Sequence, residues 1–575
     1  MSGESSITEK KQITHATREL NAISSSQEGE VKEIRSLRTI TSKRAGEVNY
    51  INAKTAHGDT ELLAEIGYKQ ELDRHFSTVQ VFGIAFSIMG LLPSIASILV
   101  MAFPGGMVSF IWGWLISGAF ILSIGAAMSE MASAIPTSGG LYYYTYYYAP
   151  PKFKSVLSFV IGNSNTLALT AALCSIDYGL AEEILSIVVI SRDGDFNITN
   201  GKTYGVYAAG IVATMILTSF ATVAVSKLQT FSIISNLSLI VFFLIVLPIG
   251  VSKSDKVNFN SGKFIFGNWE NESNWPNGWQ FMMAGFQPAV WVIGAFDSCI
   301  HMSEEAKNAT KAVPIGILSS ITVCWIVGFC ICITIAACMD SNIQAVLNTA
   351  YGQPLAQILY DALGKKWAMA FMSLIAFCQF IMGASTLTAI SRQIWAFSRD
   401  DGLPFSWWIK VVNKKLSSPL RATWFGGAYA LFIGLLCLIG GTASNALFSM
   451  YIAANYFAWM VPNLLRMTTG RDLFTPGAFY LGKFWSPIIN WISIAFEFFI
   501  IIMMMFPSDQ YGVTPNTMNY TCVFVGFVWF GSLIYYLVYK YKTFHGPKSN
   551  IDDEEFQDVV SQDVIDQILS HQKAS

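Results

Sequence analysis

Charge is scarce in this chain. Asp, Glu, Lys and Arg make up 13% of its 575 residues and hydrophobic residues 53%, with a mean hydropathy of +0.45. Soluble domains carry roughly 25% charged residues, so a soluble fold is excluded. The formal net charge is −2, and no basic arm interleaved with aromatics appears, which removes nucleic acid as a partner. The nine cysteines lie in or at the ends of apolar segments, without paired loop spacing or nearby histidines. They read as small hydrophobes, which leaves neither a disulfide framework nor a zinc site. "NGKT" at 200–203 has Phe196 where a phosphate-binding loop needs its leading glycine, so ATP-driven pumping has no support. No catalytic triad or metal cluster stands out, and neither an enzyme nor a cofactor is expected. The polar first 75 residues lack the apolar core of a cleavable signal peptide.

What the chain has instead is long apolar runs. Segments of the length that crosses roughly 30 Å of hydrocarbon fall near 79–101, 108–132, 153–178, 205–225, 229–251, 281–302, 315–338, 367–391, 422–440, 445–464, 485–506 and 520–539. The third is expected to continue as helix to about residue 190. The chain therefore divides into a polar tail (1–75), a membrane body of about twelve spans (76–540) and an acidic tail (541–575). Loops on the tail side hold about twice as many Lys and Arg as the opposite loops, which places both tails in the cytosol. Sequons at Asn197, Asn271 and Asn519 then face outward and the one at Asn308 inward. The acidic "IDDEEFQDVVSQDVIDQIL" has apolar residues at helical spacing, as either a docking helix or a solvated tail.

Two spans are interrupted. Span one contains "IMGLLPSIAS", with Gly90 and Pro93, and span six contains "FMMAGFQPAVWVIGAFDSCIHM", with Pro288, Gly294 and Asp297. Backbone released from a helix in lipid costs several kcal/mol per unsatisfied group unless protein, water or ligand satisfies it. Gly and Pro are frequent in membrane helices. A matched pair of interruptions five spans apart nevertheless points to a transporter whose substrate sits at the breaks.

Intramembrane acids are the next candidates, because each is costly in lipid. Asp297 adjoins the second break and could meet a substrate amine, a proton or a neighbouring helix. Asp177, Glu182 and Glu183 in "CSIDYGLAEEIL" lie towards the outer end of span three, where they attract a cationic head or are simply solvated. Glu497 stands mid-way along span eleven as a structural residue. Trp291 and Phe296 flank the sixth break as a gate or as ordinary packing, and Asn163, Ser164 and Asn165 read as glue between helices. Glu304, Glu305 and Lys307, with Arg399 and Asp400, are loop charges able to pair when an inner gate shuts. The tyrosines of "GGLYYYTYYYAPP" read as an aromatic belt at the inner interface.

"SEMASAIPTSGGLYYYTYYYAPP", "FDSCIHMSEEAKNATKAVPIGI" and "SRQIWAFSRDDGLP" resemble signatures of the amino acid-polyamine-organocation superfamily, in its amino acid/choline transporter branch. "ELLAEIGYKQELDRHFSTVQVFGIAFSIMGLLPSIAS" and "FYLGKFWSPI" closely resemble fungal GABA permeases. The resemblance covers about residues 60–545. It implies an all-α fold of LeuT type, two inverted five-span repeats plus two peripheral spans, with helices one and six discontinuous. It also implies proton-driven uptake of an amino compound such as 4-aminobutyrate. The carboxylate would be held at Gly90, Leu91, Leu92, Pro93 and Ser94, and the amine at Trp291, Val292, Ile293, Gly294 and Ala295. A polyamine or choline substrate is the alternative within the family, and a nutrient sensor or a channel outside it. Proton-coupled relatives place a lysine in span five where this chain has Asn236, which carries no proton. The proton candidates that remain are Asp297, Asp177 and Glu182. The expected partners are the substrate, protons, membrane lipid and regulatory proteins on the tails. The plasma membrane is the expected site and the vacuolar membrane the alternative.

Overall fold

A helix forms on each of the apolar runs, because in hydrocarbon the backbone must satisfy its own hydrogen bonds. A computed structural model describes residues 37–41, 48–52, a few positions between 63 and 72, and, with short internal gaps, 74–548. Ahead of the membrane body lies a small antiparallel hairpin, β1 (Leu37–Thr41) with β2 (Val48–Asn52), in which Thr39 pairs with Tyr50. The body itself is helical, as expected. The acidic stretch beyond 548 and most of the N-terminal tail lie outside the described residues.

Span one is Thr78–Met89 and Leu91–Ala102; spans two to five are Gly106–Ala134, Lys154–Ser191, Asn200–Thr218 and Thr222–Val251. Span six runs Asn277–Val292 and resumes at Ser298–His301. Spans seven to twelve are Ala309–Cys338, Pro354–Arg399, Leu420–Ile433 with its 3-10 extension Gly434–Leu438, Gly441–Met467, Gly482–Met503 and Thr521–Val538. Span one starts on a capping box: the Ser77 N–H donates to Gln80 Oε1 at 3.0 Å, and Gln80 N–H returns to Ser77 Oγ at 3.4 Å.

Among the described residues, eight helices are long and apolar enough to cross a membrane, one of them covering both of the first two runs. Spans three, four and ten are not among these eight. Span three packs against spans four, eight, nine, ten and twelve, so protein shelters its polar groups from lipid. Spans five, seven, nine, eleven and twelve expose Ile234, Ile326, Phe432, Phe498 and Phe527, the faces that lipid covers. With alternating spans, both ends of the body come out on one face. Lys548, near the C-terminal end, donates its N–H to Asp400 at 2.9 Å, and Tyr68, ahead of span one, donates its hydroxyl to the same carboxylate at 2.9 Å.

Candidate functional site

Both interruptions are real breaks, and each follows from local chemistry. Gly90 closes the first half of span one with φ 38° and ψ 60°, a left-handed conformation that costs other residues about 1–2 kcal/mol. Its N–H still donates to Phe86 O, and its carbonyl accepts from Ser94 N–H at 2.8 Å. Pro93 has no N–H to offer. The donors left at the start of the second half are therefore the first-turn N–H groups of Leu91 and Leu92. The Ser94 hydroxyl turns back to Met89 O at 2.7 Å. In span six, Pro288 is accommodated inside the helix and the break comes later: the helix ends at Val292, Ile293 caps it, and Gly294 leads into the 3-10 turn Ala295–Asp297.

The outer halves of the two spans pack on each other. A helix start with two free N–H groups and a helix end with unpaired carbonyls can hold an anion and a cation respectively. All ten residues from Gly90 to Ser94 and from Trp291 to Ala295 are buried.

Span ten supplies a polar face to this region. Tyr451, Asn455 and Trp459 recur every fourth residue and so lie on one side of the helix. A Cβ at Gly294 would collide with the Tyr451 hydroxyl, which has no hydrogen-bond partner. Trp459 donates from Nε1 to Asp297 Oδ2 at 3.1 Å, and Asn165 of span three donates to Asn455 Oδ1 at 3.2 Å. Asp297 also has His301 one turn along, with Nε2 at 4.0 Å from Oδ2. The His301 Nδ1 lies 3.2 Å from the Ser138 carbonyl, which can only accept, so Nδ1 carries the proton.

The two faces of the molecule differ. On the tail side Arg399 forks onto Glu304 at 3.1 and 3.2 Å, and Arg392 pairs with Glu305 at 2.7 Å, all four side chains buried. Asp400 does not join these pairs, and accepts from Tyr142 at 2.7 Å, Tyr68 and Lys548 instead. Burial pushes its carboxyl above the usual range, against the opposing pull of Arg399 and of the hydrogen bonds it accepts. On the opposite face a cavity of about 370 Å³ opens between Met101, Gln287, Ser449 and Met503. Gln287 donates to Ser449 Oγ at 3.2 Å across its floor. One turn deeper, Trp291 packs at a tilt against Phe448, ring centroids 4.9 Å apart, and donates to Ser175 Oγ at 3.2 Å. The tail side is shut by the pairs of Arg399 and Arg392, and on the other side the cavity ends at Gln287, one turn before Trp291.

A family model described as amino acid permease matches residues 76–528. The chain belongs to the amino acid permease family. It is 58% identical to a GABA-specific permease of Saccharomyces cerevisiae over 93% of this chain and 94% of that one. It is 37% identical to an uncharacterized amino-acid permease of Schizosaccharomyces pombe, over 86% and 90%. A putative polyamine transporter of Candida albicans is 31% identical, also over 86% and 90%. The chain is thus a multi-pass membrane permease, and its relatives are transporters and not enzymes.

The permease separates several residues that look alike in sequence. Trp291 lies on the cavity side of the sixth break, whereas Phe296 packs at a tilt against Trp459, ring centroids 4.5 Å apart, on the tail side. Asp177 and Glu183 are fully buried with no hydrogen-bond partner at any carboxyl oxygen, which removes the solvated reading for both, while Glu182 is half-buried. Glu497 is likewise buried and unpartnered. Ser164 and Asn165 tie span three to span ten, as glue between helices should. Asn236 donates to Ser232 within its own helix.

The tyrosine run departs from the expected interfacial belt. Tyr142, Tyr143, Tyr144 and Tyr148 are buried and do not form a belt at the interface. The short helix Gly140–Tyr148 is tucked against spans three and ten, where the Tyr142 hydroxyl finds Asp400. Sequence reasoning left His301, Tyr451, Asn455 and Trp459 unassigned. Their signal was spacing: His301 is four residues after Asp297, and the span-ten trio keeps a four-residue step. It also left Glu130 without a role. Glu130 accepts from Arg466 at 2.6 Å, Ser486 at 2.8 Å, Asn490 at 3.2 Å and the Leu481 N–H at 2.9 Å, joining span two to spans ten and eleven.

Proposed function

We propose that this permease imports 4-aminobutyrate, or a closely related ω-amino compound, across the plasma membrane in symport with protons, with both tails in the cytosol. The observation that carries the substrate is the 58% identity to a GABA-specific permease over almost the full length of both chains. The geometry agrees. A zwitterion with separated charges suits one cradle with the N–H groups of Leu91 and Leu92 at one end and the carbonyls that finish span six at the other. On this reading Gly90 to Ser94 hold the carboxylate, Trp291 to Ala295 hold the amine, and Trp291 closes the cradle toward the cavity.

A diamine such as putrescine offers no carboxylate to the first break. The likeness to a putative polyamine transporter at 31% identity is correspondingly the weaker guide. The test is uptake of radiolabelled 4-aminobutyrate into a strain lacking its own carriers, with putrescine, choline and α-amino acids as competitors. Saturable uptake that putrescine barely inhibits supports the assignment. Equal inhibition by putrescine would transfer the protein to the polyamine reading.

A further inference from the structure

Asp177 sits in a niche built around its carboxyl group, away from either break. A Cβ at Gly210 of span four would stand 2.8 Å from Oδ1, and one at Gly383 of span eight 3.1 Å from Oδ2. Two glycines on two neighbouring helices thus let those helices close directly over the carboxyl oxygens. Neither oxygen has a hydrogen-bond partner, and the residue is fully buried.

The groups around it offer no counter-charge. Span three contributes Cys174, and span four Tyr207, whose hydroxyl is already donated to Ala430 O of span nine at 2.7 Å. Span eight contributes Gly383 and the neutral Gln379, which donates to Ile176 O at 3.0 Å. No cation pairs with Asp177 among the described residues. An isolated carboxylate in such surroundings carries a heavy desolvation penalty, and taking up a proton removes it. Too few oxygens converge on the niche to coordinate a metal cation, which needs about six.

The niche touches the substrate cradle through span eight. Met382, the residue before Gly383, stands against the first break: a Cβ at Gly90 would be 2.5 Å from its sulfur, and the Ser94 hydroxyl lies 3.5 Å from it. One residue of span eight therefore contacts the break and the next contacts the Asp177 carboxyl. Further along span three, about 9 Å toward the cavity face by helical rise, Glu183 is buried and unpartnered beside the half-buried Glu182. These acids mark a route to the niche from that face.

We propose that Asp177 is the proton-binding group of this permease, loaded from the cavity face and linked to the substrate cradle through Met382 and Gly383. The carboxylate takes one proton to become a neutral acid, and gives it up when the tail side opens. Charge across the niche is thus cancelled before span eight moves against span three. This rests on the proton-symport reading above, and assigns the coupling to Asp177 and not to Asp297, which already has Trp459 and His301 beside it.

The test uses the full-length protein in liposomes, with radiolabelled 4-aminobutyrate and an external pH-sensitive dye. Wild type is expected to alkalinise the outside when substrate is added. Asp177→Asn is expected to abolish that proton movement and to make any remaining uptake independent of the imposed proton gradient. An Asp177→Asn protein that moves protons with substrate as wild type does overturns the assignment. Asp177→Glu keeps the carboxyl in a niche shaped for a shorter side chain. It decides the matter if the asparagine variant does not reach the membrane, because proton movement should persist with its pH midpoint displaced, and an unmoved midpoint overturns the proposal. Substrate uptake by wild type without proton movement would instead defeat the symport reading, and no uptake by wild type would defeat the substrate, each independently of Asp177.

Discussion

At Gly90 the backbone turns left-handed, with Met382 packed where a side chain would go. Gly90→Ala therefore combines conformational strain of about 1–2 kcal/mol with a steric clash at the mouth of the first break. Uptake per molecule at the cell surface is expected to fall about tenfold or more, since about 1.4 kcal/mol is a factor of ten. Near-normal uptake would mean that the left-handed turn is dispensable. Gly294→Leu should abolish uptake, because its side chain would meet the Tyr451 hydroxyl. Tyr451→Phe, which removes only that oxygen, is expected to raise KM while protein levels stay unchanged. The two glycines were legible in sequence because each stands in an otherwise continuous apolar run. Tyr451 was not, since an aromatic in a membrane helix is ordinary until its neighbours are known. Asp177 was legible as an intramembrane acid, but whether it was solvated depended on Gly210 and Gly383, which lie on other helices.

Between elements, the tail side is closed by ion pairs that cross from the segment after span six to span eight. Removing Arg399 alone leaves Glu304 buried without its partner, a loss of about 3–5 kcal/mol. In Arg399→Ala a cysteine introduced at Ser138, whose N–H donates to Glu304 at 3.1 Å, is expected to react faster with a thiol reagent from the tail side. An unchanged rate would show that these pairs do not hold the face shut. Asp400 adds a pH dependence with a definite sign. Its carboxyl sits above the ordinary value while buried, so it favours the closed arrangement in acid and that contribution is lost as pH rises through the raised value. Labelling of Ser138→Cys with Arg399 intact, normalised to the ionisation of a free thiol, should accelerate with rising pH, and Asp400→Asn should flatten that normalised profile. Glu304, Glu305 and Arg399 could be picked out in sequence as gate charges, but Arg392 could not, and neither could the pairing. Glu305 takes Arg392 instead of a residue of the "RDD" motif, because span eight presents Arg392 and Arg399 two turns apart on one face.

Over the whole molecule, the positions of the spans and the placement of both breaks followed from apolar length and from glycine and proline. Those signals are local. What escaped was the burial of the tyrosine helix and the second role of span ten, because both depend on how distant spans pack. The likeness to known permeases and the paired breaks are the two supports of the proposed carrier for a zwitterion with separated charges. The most direct measurement is concentrative uptake of radiolabelled 4-aminobutyrate at several external pH values in a strain without other carriers. Saturable uptake that rises as the inward proton gradient steepens, and that putrescine inhibits far less than unlabelled substrate does, is the expected result. Uptake indifferent to the proton gradient, or no uptake at all, would contradict it.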